Sequence, residues 1–193
     1  MQKRETSSEF YLEKLVYFQK IEKSIAAHLN LSELKNGIQI IRNEEGVREN
    51  EVEIDYIWIV NIARSFVGWG NLFGIKFKEN KFREYSNPEK LVQGFLVSNS
   101  QGREDFFSLE LSDPSHDIIK SFNFNLAEVN NGTFLHGTQY EIRIIAYNID
   151  TFINVRNPNT PEWKEWETKF WTLGKQLAIE SNNIDMKHIF ELI

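Results

Sequence analysis

The chain reads as an α+β fold, a mainly antiparallel β-sheet or sandwich-like core with an N-terminal helix and C-terminal helices. Three observations carry this. Helical periodicity is confined to the two ends, short strand-like runs fill the middle, and clusters of turn residues rather than helices separate those runs. A length of 193 residues suits one domain, spanning 1–193, with a self-sufficient core.

The first helix is expected over about 8–29, capped by Ser7 or Ser8. Tyr11, Leu15, Phe18, Ile25 and Leu29 fall on one side, with Glu13, Lys20 and Ser24 opposite. Glu22 interrupts the apolar stripe, and its flexible stem lets the carboxylate reach the edge.

A β-rich core is expected over about 36–155. Gly37 to Arg42 is a short strand and Asn43 to Asn50 a polar loop. From Glu51 to Ile62 the alternation places Val52, Ile54, Tyr56, Trp58 and Val60 on one face. Glu51, Glu53 and Asp55 share the other with Ile57 and Ile59, so the strand starts half exposed and ends buried on both sides. The segment Ile54 to Ala63 is the longest apolar stretch, carries Asp55 and Asn61 within it and reads as a buried strand. Gly68-Trp69-Gly70-Asn71 reads as a turn or bulge. Further strands are expected near 72–78, 91–98, 104–111, 118–126 and 139–148.

The Asn- and Pro-rich stretch from Asn157 to Pro161 closes the core and opens a helical segment over about 161–193. Thr160 has the chemistry of an N-cap, Pro161 suits the first helical position and Glu162 complements the helix dipole. Trp163, Trp166, Phe170, Leu173 and Leu177 recur at three and four residues as one seam, with Glu165 and Lys169 as an exposed pair. A final short helix is expected from Asp185 to Ile193.

Composition narrows function by exclusion. The net charge of -6 disfavours nucleic acid as the main partner, because phosphate binding works through a basic surface. The absence of cysteine removes disulfides, thiolate zinc sites and cysteine nucleophiles. No run suits a signal peptide or a membrane span, so the expected location is cytoplasmic. The four histidines, His28, His116, His136 and His188, have no metal-ligand spacing, and no glycine-rich phosphate loop is present. Neither a metal nor a cofactor is expected, and Ser65 and Ser108 have no assigned base.

Three local resemblances emerge. The segment Glu53-Ile54-Asp55-Tyr56-Ile57-Trp58, followed by Gly74-Ile75-Lys76, resembles the metal-dependent nucleases of the PD-(D/E)xK class. That resemblance implies a divalent ion at Asp55 with Lys76 beside it, but Gly74 stands where a second carboxylate belongs. Glu13 is the candidate to replace it, since the ion that activates water needs two carboxylates. The run from Leu135 to Asn148, centred on Tyr140, resembles the tyrosine-corner strand of fibronectin type III domains, which implies a hydroxyl tied to the preceding turn. His136-Gly137-Thr138 resembles the H-x-T element of the two-histidine phosphoesterases, without the second element that chemistry requires.

The aromatic excess, with 15 Phe and 5 Trp, favours a non-catalytic binding or interaction protein. Its partner would be another protein, a second copy of the chain, or a small ligand held in a pocket beside the sheet. Trp163, Trp166, Phe170 and Trp69 are the candidate contact residues. The rival reading is the degenerate nuclease, a hydrolase using Asp55, Lys76 and Glu13.

Overall fold

The computed structural model describes residues 7–78, 90–98, 104–112 and 137–190. The expected strand at 118–126, together with His116 and His136, lies outside them. Among the described residues the protein is α+β: helix α1 (Ser7–His28), seven antiparallel strands, then helices α2 (Pro161–Ser181) and α3 (Ile184–Phe190). No described helix is long and apolar enough to cross a membrane.

The strands are β1 (Gly37–Arg42), β2 (Arg48–Arg64), β3 (Gly68–Phe77), β4 (Lys90–Ser98), β5 (Glu104–Ser112), β6 (Thr138–Ala146) and β7 (Ile149–Arg156). They form one sheet in the order β5-β4-β3-β2-β6-β7, with β1 also paired to β2. The first half of β2 pairs with β1 through Ile54↔Gly37, and the second half pairs with β6 from Tyr56↔Ala146 onward. β3 runs along the opposite side of β2 from Ile54 to Arg64, so β1 and β6 lie end to end on one flank.

Helices cover both faces. On one, Phe18, Ile21 and Ile25 of α1 pack against Ile57, Ile59, Phe73, Ile75 and Ile145. On the other, the α2 seam and Met186, Ile189 and Phe190 of α3 cover Trp58, Val60, Ile62, Leu72 and Tyr140. The single sheet thus has apolar residues on both of its surfaces, which explains the loss of alternation in the second half of β2.

The expected single face for Val52 through Val60 does not hold. Ile54 pairs with Phe77 while Tyr56 pairs with Lys76, so two steps on β2 match one on β3. Asp55 is the extra residue of a β-bulge, and it shifts the alternation by one. Val52 and Ile54 therefore join the α1 side, whereas Tyr56, Trp58 and Val60 join the α2 side.

Two turns also differ from expectation. The β2–β3 turn is Ser65-Phe66-Val67, with Phe66 at φ 66°, and the stretch from Gly68 to Asn71 belongs to β3. Only Gly68, at φ 137°, serves the turn; Gly70 lies beneath Met186 and Ile189, where a Cβ would approach them at 3.1–3.2 Å. β7 follows β6 through Tyr147-Asn148, a two-residue turn without the glycine that normally signals such hairpins.

The helix ends follow the sequence closely. Thr160 is extended and its hydroxyl accepts the Trp163 N–H at 3.3 Å, with Pro161 opening the helix. Asn182 takes the left-handed conformation at the C-cap of α2. Glu165 and Lys169 form the expected exposed pair at 3.2 Å. Glu22 does more than reach the edge of α1: its carboxylate accepts from the buried Arg143 at 3.3 Å, and Arg143 also pairs with Asp150. Burial raises the Glu22 carboxyl above its ordinary range, and Arg143 opposes that shift.

Candidate functional site

The sequence-derived candidates separate in space. Trp163, Trp166 and Phe170 are buried between α2 and the sheet, with Trp166 stacked on Phe170 at 4.8 Å. Their area is spent on the chain's own core, which leaves none of the three on the surface. Trp69 stands apart from them, 37% exposed at the start of β3.

Asp55 and Lys76 are close, one in the bulge and the other opposite Tyr56. Lys78 pairs with a carboxylate nearby, meeting Glu53 at 2.8 Å. Glu13 is exposed and adjoins Lys14, whose ammonium reaches Glu141, the partner of Asn61. Asn61 is six residues from Asp55 along β2, or about 20 Å of strand, so Glu13 is not brought to Asp55. Gly74 cannot carry the missing carboxylate either, because a Cβ there would sit 2.3 Å from the Trp58 indole. Among the described residues no three His, Asp or Glu side chains gather to hold a metal.

Tyr140 does not form a corner. Its hydroxyl donates to Glu167 of α2 at 2.5 Å and accepts from the Trp171 indole at 3.0 Å, tying the sheet to the helix rather than to a turn. Burial, reinforced by the Glu167 charge, pushes its pKa upward. Ser108 does acquire a basic neighbour, since His28 Nε2 lies 3.2 Å from its hydroxyl. The imidazole stacks on Phe106 at 4.9 Å, which pins the end of α1 to β5.

The most developed site was not anticipated. On the α1 face, the apolar rows of the sheet give way toward the β2–β3 turn. Asn71, Asn61, Glu141 and Asn154 stand side by side on β3, β2, β6 and β7, and the next row outward is Trp69, Ala63, Gln139 and Arg156. Because paired residues of a sheet share a face, a polar band four strands wide results. Lys14 and Tyr17 of α1 close over it. The helix, the outer row, Asn61 and Glu141 enclose an open cleft of about 450 Å³, whose lining does not include Asn71 or Asn154. It adjoins a second cleft of about 650 Å³ around the β2–β3 turn, and the two share Ala63, Trp69, Gln139 and Arg156.

Glu141 organises the floor. Its carboxylate meets Lys14 at 2.5 Å, Asn61 Nδ2 at 2.8 Å and Gln139 Nε2 at 3.0 Å. The Asn61 bond fixes the amide orientation, since the reverse would set an oxygen against the carboxylate. Asn61 Oδ1 is thereby turned away from Glu141. Both Asn61, 8% exposed, and Asn71, 1% exposed, bury an amide oxygen that has no hydrogen-bond partner among the described residues. Tyr17 lies beside them; burial raises its hydroxyl to about 12, against the effect of a hydrogen bond with Asn71.

Signals for this site existed but were divided. Asn61 was visible as a polar residue inside an apolar strand, whereas Asn71 reads as a turn residue until β3 is placed. Lys14, Tyr17 and Glu141 look like ordinary amphipathic positions in isolation. Trp69 is the sequence candidate that does line the cleft. No family model, curated protein or solved structure matches the chain.

Proposed function

We propose that the protein is a non-catalytic binding module that holds a small ligand, rich in hydrogen-bond donors, in the cleft between α1 and the polar band. The observation that carries this reading is the pair of neighbouring buried amide oxygens on Asn61 and Asn71. A buried acceptor without a donor costs about 1–3 kcal/mol, so two on paired residues mark a place where stability yields to another requirement. Of the two, Asn61 lines the cleft, and a ligand N–H group that reached its amide oxygen would recover its share of that loss. The cleft volume falls within the usual range for small-molecule sites, and Trp69 with Tyr17 supplies flat apolar walls.

The test uses Asn71→Leu, nearly the same shape without the polar atoms. The expected result is a more stable protein, by about 1–2 kcal/mol, that no longer shows the ligand-induced rise in melting temperature found by screening small molecules against the unaltered chain. A clear loss of stability that persists in a Tyr17→Phe background, where the Tyr17–Asn71 hydrogen bond is already gone, would mean that the amide oxygen is satisfied in the free protein, and would defeat the proposal. Ligand stabilisation that survives unchanged in both Asn71→Leu and Asn61→Leu would move the site elsewhere.

A further inference from the structure

We infer that the protein pairs with a second copy of itself along β7, the two strands running antiparallel about a two-fold axis at Ile153, with Asp150 of each copy opposite Arg156 of the other. The contact does not depend on the ligand cleft. Among the described residues the sheet ends at β5 on one side and at β7 on the other. The outer edge of β1 is met by the segment before it, through the Leu31↔Ile41 bridge and the Ser32 N–H on the Ile40 carbonyl at 3.2 Å. The charged residues of β5 are Glu104, Asp105 and Glu110, so a second copy laid along it would find no opposite charge. β7 has one charge of each sign, Asp150 near its start and Arg156 at its end, with uncharged residues between.

The ladder to β6 determines which backbone groups β7 has to offer. Asn157 donates its N–H to the Thr138 carbonyl at 2.9 Å, and such bonds recur at every second residue of an antiparallel pair. Ile149, Thr151, Ile153 and Val155 therefore turn their N–H and C=O groups to β6, whereas Asp150, Phe152, Asn154 and Arg156 turn theirs to the outer edge. A two-fold axis normal to the sheet keeps every residue on its own face, and paired residues share a face. Even positions can thus meet only even positions, and odd only odd. Of the registers that remain, the one centred on Ile153 sets Asp150 opposite Arg156, and does so on both sides of the axis. Phe152 then lies opposite Asn154, so each outward-facing residue of the strand has a partner. On the α2 face Thr151 meets Val155 and Ile153 meets itself, β-branched against β-branched at the closer spacing of non-hydrogen-bonded pairs. Asp150 already pairs with Arg143, and Arg156 has an interaction within its own chain. The cross-strand contact extends those networks and needs neither residue to be unpaired. Asp150, with 66% of its side chain exposed, has room for a second cation.

The experiment is sedimentation equilibrium of the full chain and of two charge reversals, Asp150→Arg and Arg156→Asp. The parent is expected to dimerise with a dissociation constant below about 100 μM. Each variant alone sets like charges opposite each other and should dimerise about tenfold more weakly or worse. An equimolar mixture of the two should recover the association, because one cross-strand pair is then unaltered and the other is reversed at both ends. Damage within a chain, to the Arg143 pair for instance, is not repaired by mixing. Asn154→Pro gives an independent check: it removes an outward N–H and leaves the β6 ladder whole, so the variant should be a folded monomer. A parent that is monomeric at about 100 μM would overturn the proposal. So would dimers unaffected by either reversal, variants that stay apart on mixing, or a folded Asn154→Pro that dimerises like the parent.

Discussion

Replacing Gly74 with alanine sets two physical effects against each other, and the structure decides which wins. An alanine Cβ would stand 2.3 Å from Cε2 and Nε1 of Trp58 and 2.6 Å from Cζ2. Ordinary carbon contacts are about 3.5–4.0 Å, so the indole would have to retreat by more than about 1 Å. It has little room, being buried against Phe170 with ring centroids 6.3 Å apart. Removing a glycine from a strand gains about 0.5–1 kcal/mol through backbone entropy. Overpacking a close-packed core loses about 1–3 kcal/mol. The steric loss dominates, and the expected net destabilisation is about 1–2 kcal/mol. In a chain of this size that lowers the melting temperature by about 2–8 °C. The assay is urea and thermal unfolding in two backgrounds, the parent and Trp58→Phe. Phenylalanine lacks the indole atoms that the new Cβ would meet, so Gly74→Ala should become neutral or mildly stabilising there, giving a coupling of about 1.5–3 kcal/mol. Equal losses in both backgrounds would refute the reasoning and place the requirement for glycine in the backbone.

Three further outcomes are expected. Lys14→Met should destabilise by about 3 kcal/mol and Glu141→Gln by about 1 kcal/mol, because the first strands a carboxylate only 4% exposed while the second frees an ammonium already 26% exposed; denaturant unfolding showing the reverse order would refute this. Trp166→Ala should cost about 3–5 kcal/mol of folding stability, and an unchanged unfolding midpoint with loss of self-association would instead restore the seam as a contact surface. Burial lowers the His28 imidazole below its ordinary 6.5, so as pH falls the unfolded chain takes up this proton first. The His28 contribution is then complete above about pH 6.5 and declines through the window beneath it; His28→Gln should show a smaller drop in unfolding midpoint between neutral and mildly acidic pH, and an identical drop would remove His28 as the cause.

The parts of the fold legible in the sequence are those governed by neighbours along the chain. The Thr160 cap, Pro161, the seam from Trp163 to Leu177 and the strand at Gly37 all depend on local spacing, and the structure has them where spacing puts them. The parts that were not legible depend on register between distant segments. One extra residue at Asp55 reverses which side Val52 and Ile54 face, and nothing in the alternation of β2 alone announces a bulge. The sequence ran β6 on to Asn148 and gave no sign of the reversal into β7, since Tyr147-Asn148 lacks the usual turn chemistry. The polar band was hidden for the same reason. Asn61, Asn71 and Glu141 are scattered along the chain and become neighbours only when β3 and β6 take their places beside β2.

The unequal flanking of β2 makes one strand a graded clamp. Residues from Tyr56 to Arg64 are held by ladders on both sides, whereas among the described residues those from Arg48 to Val52 are paired with β1 alone. Amide hydrogens along this continuous segment should therefore exchange with solvent at very different rates, slowly beyond the bulge and faster before it. The β1 end can open and reclose as a small unit while the doubly flanked half, which carries Asn61, stays shut. Breathing at one end of the sheet is thus uncoupled from the cleft at the other, with Asp55 as the dividing point.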